Sequence, residues 1–233
     1  MASPAGLKDS IHHDWSSADY VDQWLSSADS RAAERGLHFW IMGELLPYGK
    51  DDAFRFADLG AGGGALATAV LEAFPRSTAV CIDGSAAMLD RAEEALRRFE
   101  GRVELVEADF SRPNWIAPLG ARRVDAVVSY QAIHNLFDGP KIRRVYRGVC
   151  DMLEPDGHFI TCDNIASNPL LQDRIDAAYR ARRNRPGGPG GGVTGTRFAG
   201  TLVDHFAWLR RAGFRAAECP WRELQRAMLM ARK

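Results

Sequence analysis

Three aspartates and a run of glycines carry the chemistry this sequence offers. Asp58 stands two residues before Gly60 in "RFADLGAGGGALATAV" (Arg55 to Val70); Asp83 closes "TAVCID", and Asp109 follows in "VEADF". A glycine-rich bend lets a backbone approach a ligand without a β-carbon in the way, and the helix behind it presents free amides. A phosphate loop of the G-x-x-x-x-G-K-[ST] type fails, because no lysine follows the glycines. Gly60, Gly62 and Ala65 fit the dinucleotide pattern G-x-G-x-x-[GA], and Asp83 lies near the expected spacing. A carboxylate at Asp58 would repel a pyrophosphate at this helix N-terminus. It would attract the ammonium of a methionine moiety, as in a sulfonium nucleoside. Asp83 could then take two ribose hydroxyls as a bidentate acceptor. Asp109 could accept from an adenine amino group, with Phe110 beside the ring and Met88 on its other face. Each acid also has a plainer use: Asp58 and Asp83 as helix caps, Asp109 as a turn residue.

Positioning these side chains requires alternating strands and helices. The pattern predicts strands over Ala53–Asp58, Thr78–Asp83, Val103–Glu107, Val124–Tyr130 and His158–Cys162. Between them it predicts helices over Ala65–Phe74, Ser85–Phe99, with Ser85 as N-cap, and Pro140–Leu153. Such alternation implies a parallel sheet with helices on both faces and ligands at the strand C-termini. Helices over Asn168–Arg183 and Thr201–Ala212 follow, and "FRAAECPWRELQRAMLMARK" reads as a closing hairpin. Residues 1–50 read as an N-terminal helical cap and 51–233 as one compact unit with a flexible glycine-rich loop at 186–195.

"DLGAGGG", "CIDGS", "EADF", "DAVVSYQAIHNL" and "LEPDGHFI" occur in order. Together they resemble the class I S-adenosylmethionine-dependent methyltransferases over roughly Phe54 to Asp163. The resemblance implies an α/β, Rossmann-like fold: a seven-stranded mixed sheet, helices on both faces, the last strand antiparallel. It implies S-adenosyl-L-methionine as cofactor. Asp58, Gly60, Ala61 and Gly62 would border its methionine part, Asp83 and Gly84 the ribose, and Met88, Asp109 and Phe110 the adenine. Ser129 to Gln131 would lie below the sulfonium.

Methyl transfer from a sulfonium needs positioning, exclusion of water and, for an oxygen or nitrogen acceptor, a base. His134 is the leading candidate for that base; its alternative is a contact to cofactor or backbone only. Tyr130 is a second candidate. Asp163 and Asn164 resemble part of the metal site of catechol-type methyltransferases, but the further aspartate of that site falls at about Ser129 here, so no metal is expected. Asp163 could instead face the acceptor. Trp15, Tyr20, Trp24 and Trp40 could line an acceptor pocket or be buried cap faces, and Arg31 and Arg35 could meet a carboxylate. His12 and His13 read as surface residues.

Bulk properties narrow the partner. Among 233 residues, 30 basic and 30 acidic side chains cancel, which disfavours nucleic acid despite "RARRNRPGGPGGG". The four cysteines have no paired spacing, and the sequence has neither a signal-peptide core nor an apolar run of membrane-spanning length. The expectation is a cytoplasmic enzyme methylating an O, N or C atom of a small molecule, its oligomeric state open. A tRNA or protein methyltransferase, a non-catalytic cofactor-binding regulatory subunit and a nicotinamide oxidoreductase are the alternatives; Asp58 and Asp109 disfavour the last.

Overall fold

A computed structural model describes residues 17, 19–23, 32–184 and 198–233. Seven strands form one sheet in the order β3-β2-β1-β4-β5-β7-β6. They are β1 (Arg55–Leu59), β2 (Thr78–Asp83), β3 (Val103–Glu107), β4 (Val124–Tyr130), β5 (Leu153–Asn164), β6 (Ala216–Glu223) and β7 (Arg226–Arg232). β1 to β5 run parallel; β7 is antiparallel to both β5 and β6. The helices are α1 (Ala32–Leu45), α2 (Ala65–Ala73), α3 (Ala86–Leu96), α4 (Gly139–Met152), α5 (Gln172–Asn184) and α6 (Leu202–Ala212). This is the expected mixed sheet.

The central strands are largely apolar because both sheet faces are covered. On one face Phe56, Cys81, Val128, Ile160 and Met228 pack against α1, α2 and α3 through Met42, Leu66, Val70, Ala92 and Leu96. On the other, Leu59, Ile82, Val127, Phe159 and Ala231 meet α4 and α6 through Ile142, Tyr146, Val149 and Leu209. Side chains alternate between faces with the two-residue strand period. Right-handed crossovers then bring every parallel strand's C-terminus to one rim.

Local signals explain the element ends. Ser85 caps α3, its hydroxyl accepting from the Met88 amide at 3.2 Å. Asp138 caps α4 by accepting from the Lys141 amide at 2.7 Å, and Thr201 and Asp204 form a capping box on α6. Several boundaries differ from expectation. β1 begins at Arg55, whose amide donates to Asp125 Oδ2 at 2.7 Å. The helix expected to reach Phe99 ends at Leu96 and tightens into a 3-10 turn, Arg97–Phe99. β5 is longer than His158–Cys162, because "EPDG" does not end the strand: Leu153 pairs with Val124, and the register shifts before Ala126 meets His158. α5 starts at Gln172, since the Asn168 side chain and carbonyl accept the Leu170 and Leu171 amides and close a turn. The register of β6 shifts between Glu218 and Trp221, where Pro220 cannot donate to the ladder; an edge strand tolerates this. The stretch 186–195 lies outside the described residues. Among those described, no helix is long and apolar enough to cross a membrane.

Candidate active site

The glycine bend is built by bonds to β2. The Gly60 and Ala61 amides donate to the Ile82 carbonyl at 2.8 and 3.0 Å. The Gly62 amide donates to Asp83 Oδ2 at 2.9 Å, and the Ser85 amide donates to Asp83 Oδ1 at 3.0 Å. Asp83 thus clamps both loops with one carboxylate. Gly60 has φ +75°, and a β-carbon there would fall 2.3 Å from Ala132 Cβ, so only glycine fits. At Gly62 (φ +52°) a β-carbon would meet only Met88 Sδ, at 3.9 Å, which leaves open space beside this backbone. Gly84 packs so closely on the β3 end that its β-carbon would sit 3.1 Å from Asp109 Cα. Phe110 borders the same bend, with Cε1 3.6 Å from the place of a Gly60 β-carbon.

The three acids gather on one rim but stand in different environments. Asp58 is buried, at 1% exposure. Its Oδ2 accepts from the Ala67 amide in the first turn of α2 at 3.1 Å, and its Oδ1 has no partner. Burial pushes its carboxyl up to about 7, with the nearby Asp83 charge adding to the rise and the Ala67 amide opposing it. Asp83 is also raised, chiefly by burial, against the pull of the Gly62, Ser85 and Gly84 amides. Asp109 is exposed. Its partial burial is outweighed by hydrogen bonds from Ser111 and by Arg112, which hold the carboxyl below its usual value. The Ser111 amide donates at 2.8 Å and Arg112 Nε at 3.1 Å, so Asp109 has the turn role as well.

At the end of β4, Ser129 is buried and its hydroxyl donates to the Leu59 carbonyl at 2.7 Å, bracing β1 against β4. Gln131 sits at φ +54°, a sparsely populated region for a side-chain-bearing residue. Its amide donates to the Cys162 carbonyl at 2.9 Å, and its Oε1 accepts from Asn164 Nδ2 at 3.2 Å. Tyr130 turns under α1, where its hydroxyl shares a 2.9 Å hydrogen bond with His38 Nδ1. Burial holds this phenol far above its ordinary value. Its hydroxyl is thus engaged with α1.

His134 behaves differently. It lies in a 3-10 turn, Ile133–Leu136, directly after β4. Its Nδ1 contacts Asp163 Oδ1. The other Asp163 oxygen accepts from the Ile133 amide at 3.0 Å and the Thr161 hydroxyl at 3.4 Å. The two side chains are only 11% and 7% exposed. A carboxylate accepts and does not donate, so in the neutral imidazole Nδ1 carries the proton and Nε2 the lone pair. Asp163 therefore faces His134. Sequence offered no sign of that pairing, which bridges 29 residues. Among the described residues no group of three or more His, Cys, Asp or Glu is placed to hold a metal ion.

α1 is fastened to β7 and α5 through Glu34. Arg226 Nη1 pairs with Glu34 at 2.8 Å and Arg182 Nη2 with the same carboxylate at 3.2 Å. Of the residues considered for an acceptor pocket, Trp40 is 62% exposed. Tyr20 and Arg35 are half-buried. Trp15, Trp24, Arg31, His12 and His13 lie outside the described residues.

Residues 57–159 match a family profile described as "Methyltransferase domain". A stretch of 75 residues is 41% identical to the release factor glutamine methyltransferase of Gloeobacter violaceus, spanning 32% of this chain and 25% of that protein. The fold resembles an O-methyltransferase family protein from Burkholderia thailandensis (TM-score 0.67, 19% identity, 95% of this chain, 60% of that one). It also resembles human N-acetylserotonin methyltransferase solved with S-adenosylmethionine (TM-score 0.65, 17% identity, 98% of this chain, 60% of that one). The chain thus spans about a quarter of the curated relative and 60% of these solved chains. With the sheet order and the glycine bend described above, these matches lead to one conclusion: residues 57–159 match a methyltransferase domain, on a fold shared with solved methyltransferases.

Proposed function

We propose that this protein transfers a methyl group from S-adenosyl-L-methionine to a small-molecule acceptor, with an acceptor hydroxyl as the preferred target. His134 acts as general base and Asp163 orients it. The observation that carries this reading is the dyad itself: a half-buried imidazole whose Nδ1 is committed to a carboxylate, leaving Nε2 to take a proton. The residues on the rim fit the cofactor. The unpartnered Asp58 Oδ1 suits an ammonium group, Asp83 a ribose, and the space beside Gly62 a ligand in close approach. Met88, Asp109 and Phe110 would border the base. When bound, the cofactor supplies an electrophilic methyl on a sulfonium, which departs as a neutral thioether. The chain's own part is to align the acceptor, exclude water and accept its proton at His134 Nε2. The N-terminal helical segment, fastened through Glu34, serves as the cap on the acceptor side.

The names of the solved relatives, an O-methyltransferase family protein and N-acetylserotonin methyltransferase, support a small acceptor. A protein acceptor is the second reading, supported by the likeness to release factor glutamine methyltransferase. The low exposure of the dyad favours the smaller partner. The test is transfer of labelled methyl from S-adenosylmethionine to a panel of hydroxylated and carboxylated small molecules. His134→Gln and Asp163→Asn should each lower turnover by about 10²–10⁴-fold, with cofactor affinity changed less than about twofold. Turnover near the parent rate in either variant defeats the dyad.

A further inference from the structure

A histidine buried between α6 and α4 is not used by the proposed reaction. His205 is in the first turn of α6 and only 4% exposed. Its Nε2 meets the Ala199 carbonyl at 3.1 Å and its Nδ1 meets the Tyr146 hydroxyl at 2.6 Å. A carbonyl can only accept, so Nε2 carries the proton and Nδ1 accepts from Tyr146. The tautomer is thereby fixed, and both ring nitrogens are satisfied. Burial keeps this imidazole below its ordinary pKa, against the Ala199 carbonyl and the Asp163 charge, so it is neutral at physiological pH.

The residue held by that carbonyl adjoins Phe198, and Phe198 touches the proposed base. Its ring stands edge-on to His134 with centroids 5.4 Å apart, and it stacks on Phe137 at 6.1 Å. Everything around Ala199 fixes the same short segment. The Ala166 amide donates to the Gly200 carbonyl at 2.8 Å. Gly200 lies at φ +79°, and a β-carbon there would sit 2.3 Å from Trp208 Cη2. The Trp208 ring in turn lies 4.9 Å from the His205 ring. Thr201 then caps α6.

We infer that His205 is a positioning residue for His134: donating to the Ala199 carbonyl and held by Tyr146, it sets the Phe198 ring against the imidazole and so fixes where Nε2 points. The consequence for catalysis rests on the proposed role of His134 as base; the geometric link does not. Phe198 limits the rotation of an imidazole that Asp163 anchors at one atom only. His205 reaches that ring through one carbonyl and touches neither the dyad nor the glycine bend.

The test uses the side-chain resonances of histidine-labelled full-length protein, with His134 assigned by its loss in His134→Gln. Phe198→Ala should move the His134 ring-proton signals, because the neighbouring ring current is removed. His205→Leu should move them in the same direction, and the double variant should move them little further. His205→Gln, whose amide can donate to Ala199 and accept from Tyr146, should return them toward the parent position. Should His205→Leu not fold, Tyr146→Phe replaces it: loss of the hydroxyl frees Nδ1 and should shift the same signals. With an accepted acceptor, His205→Leu should lower kcat about tenfold at unchanged cofactor KM. Stationary His134 signals in folded His205→Leu or in Tyr146→Phe, while Phe198→Ala moves them, overturn the inference. The spectrum needs neither acceptor nor turnover. Full activity of His134→Gln would therefore end the base assignment without touching this link, and stationary signals would end the link without touching the base.

Discussion

Replacing Asp58 by asparagine should make the ligand-free protein more stable at neutral pH while weakening its hold on the cofactor. Asp58 is buried with one oxygen unpartnered, and its carboxyl is raised from 3.8 to about 7. A folded-state value above the unfolded one contributes stability that is fully present below the unfolded pKa and lost as pH rises through the folded one. From about pH 5 to pH 7 the folded protein keeps this proton and the unfolded chain does not, so each pH unit removes about 1.4 kcal/mol. Over that window the loss is roughly 3 kcal/mol, and above it no more is lost. Asparagine keeps the acceptor for the Ala67 amide and carries no charge, so its stability lacks this slope. Urea unfolding at several pH values should therefore show the variant's advantage growing by roughly 3 kcal/mol between about pH 5 and pH 8. Calorimetric titration with S-adenosylmethionine should show the opposite trend in function, a loss of about 1.5–3 kcal/mol for the missing charged partner. In the parent protein, binding near pH 6 should release a proton, visible as a dependence of the heat on buffer ionisation enthalpy. Parallel stability curves for parent and variant would refute the idea that the buried carboxyl holds its proton.

Asp83→Asn turns an amide toward the Gly62 or Ser85 N–H, opens the clamp and should weaken cofactor binding by about 1–3 kcal/mol in the same titration. Gly60→Ala places a methyl 2.3 Å from Ala132 Cβ at φ +75°, so it should lower the melting temperature and the cofactor affinity together, as melts with and without ligand will show. Tyr130→Phe loses only the hydrogen bond to His38 and should keep methyl transfer within a few-fold of the parent; a collapse of turnover would return Tyr130 to the reaction.

Much of this architecture was legible because its signals are local. The apolar strand runs, Ser85 before Ala86 and the three acids at strand ends all lie within a few residues of what they determine. The parts that escaped are set by partners distant in sequence. Asp163 reaches His134, Arg226 reaches Glu34 across 192 residues, and His205 meets Tyr146 across 59. No periodicity reports such pairs. The environment of Tyr130 is likewise supplied by α1, through His38, and not by its neighbours in "VVSYQA". "EPDG" misled for another reason. Pro155 and Gly157 are turn formers, yet the strand absorbs them as a register shift against β4.

The order of the sheet also governs how the chain can be assembled. β7 is made after β6 yet slots between β6 and β5, so until Arg226–Arg232 has emerged from the ribosome, β5 presents an open row of amides and carbonyls beside Ile160 and Cys162. An unfinished ladder of this kind invites pairing with another nascent chain. Truncations that remove this one strand should thus yield insoluble material, even though the half that carries the glycine bend is untouched.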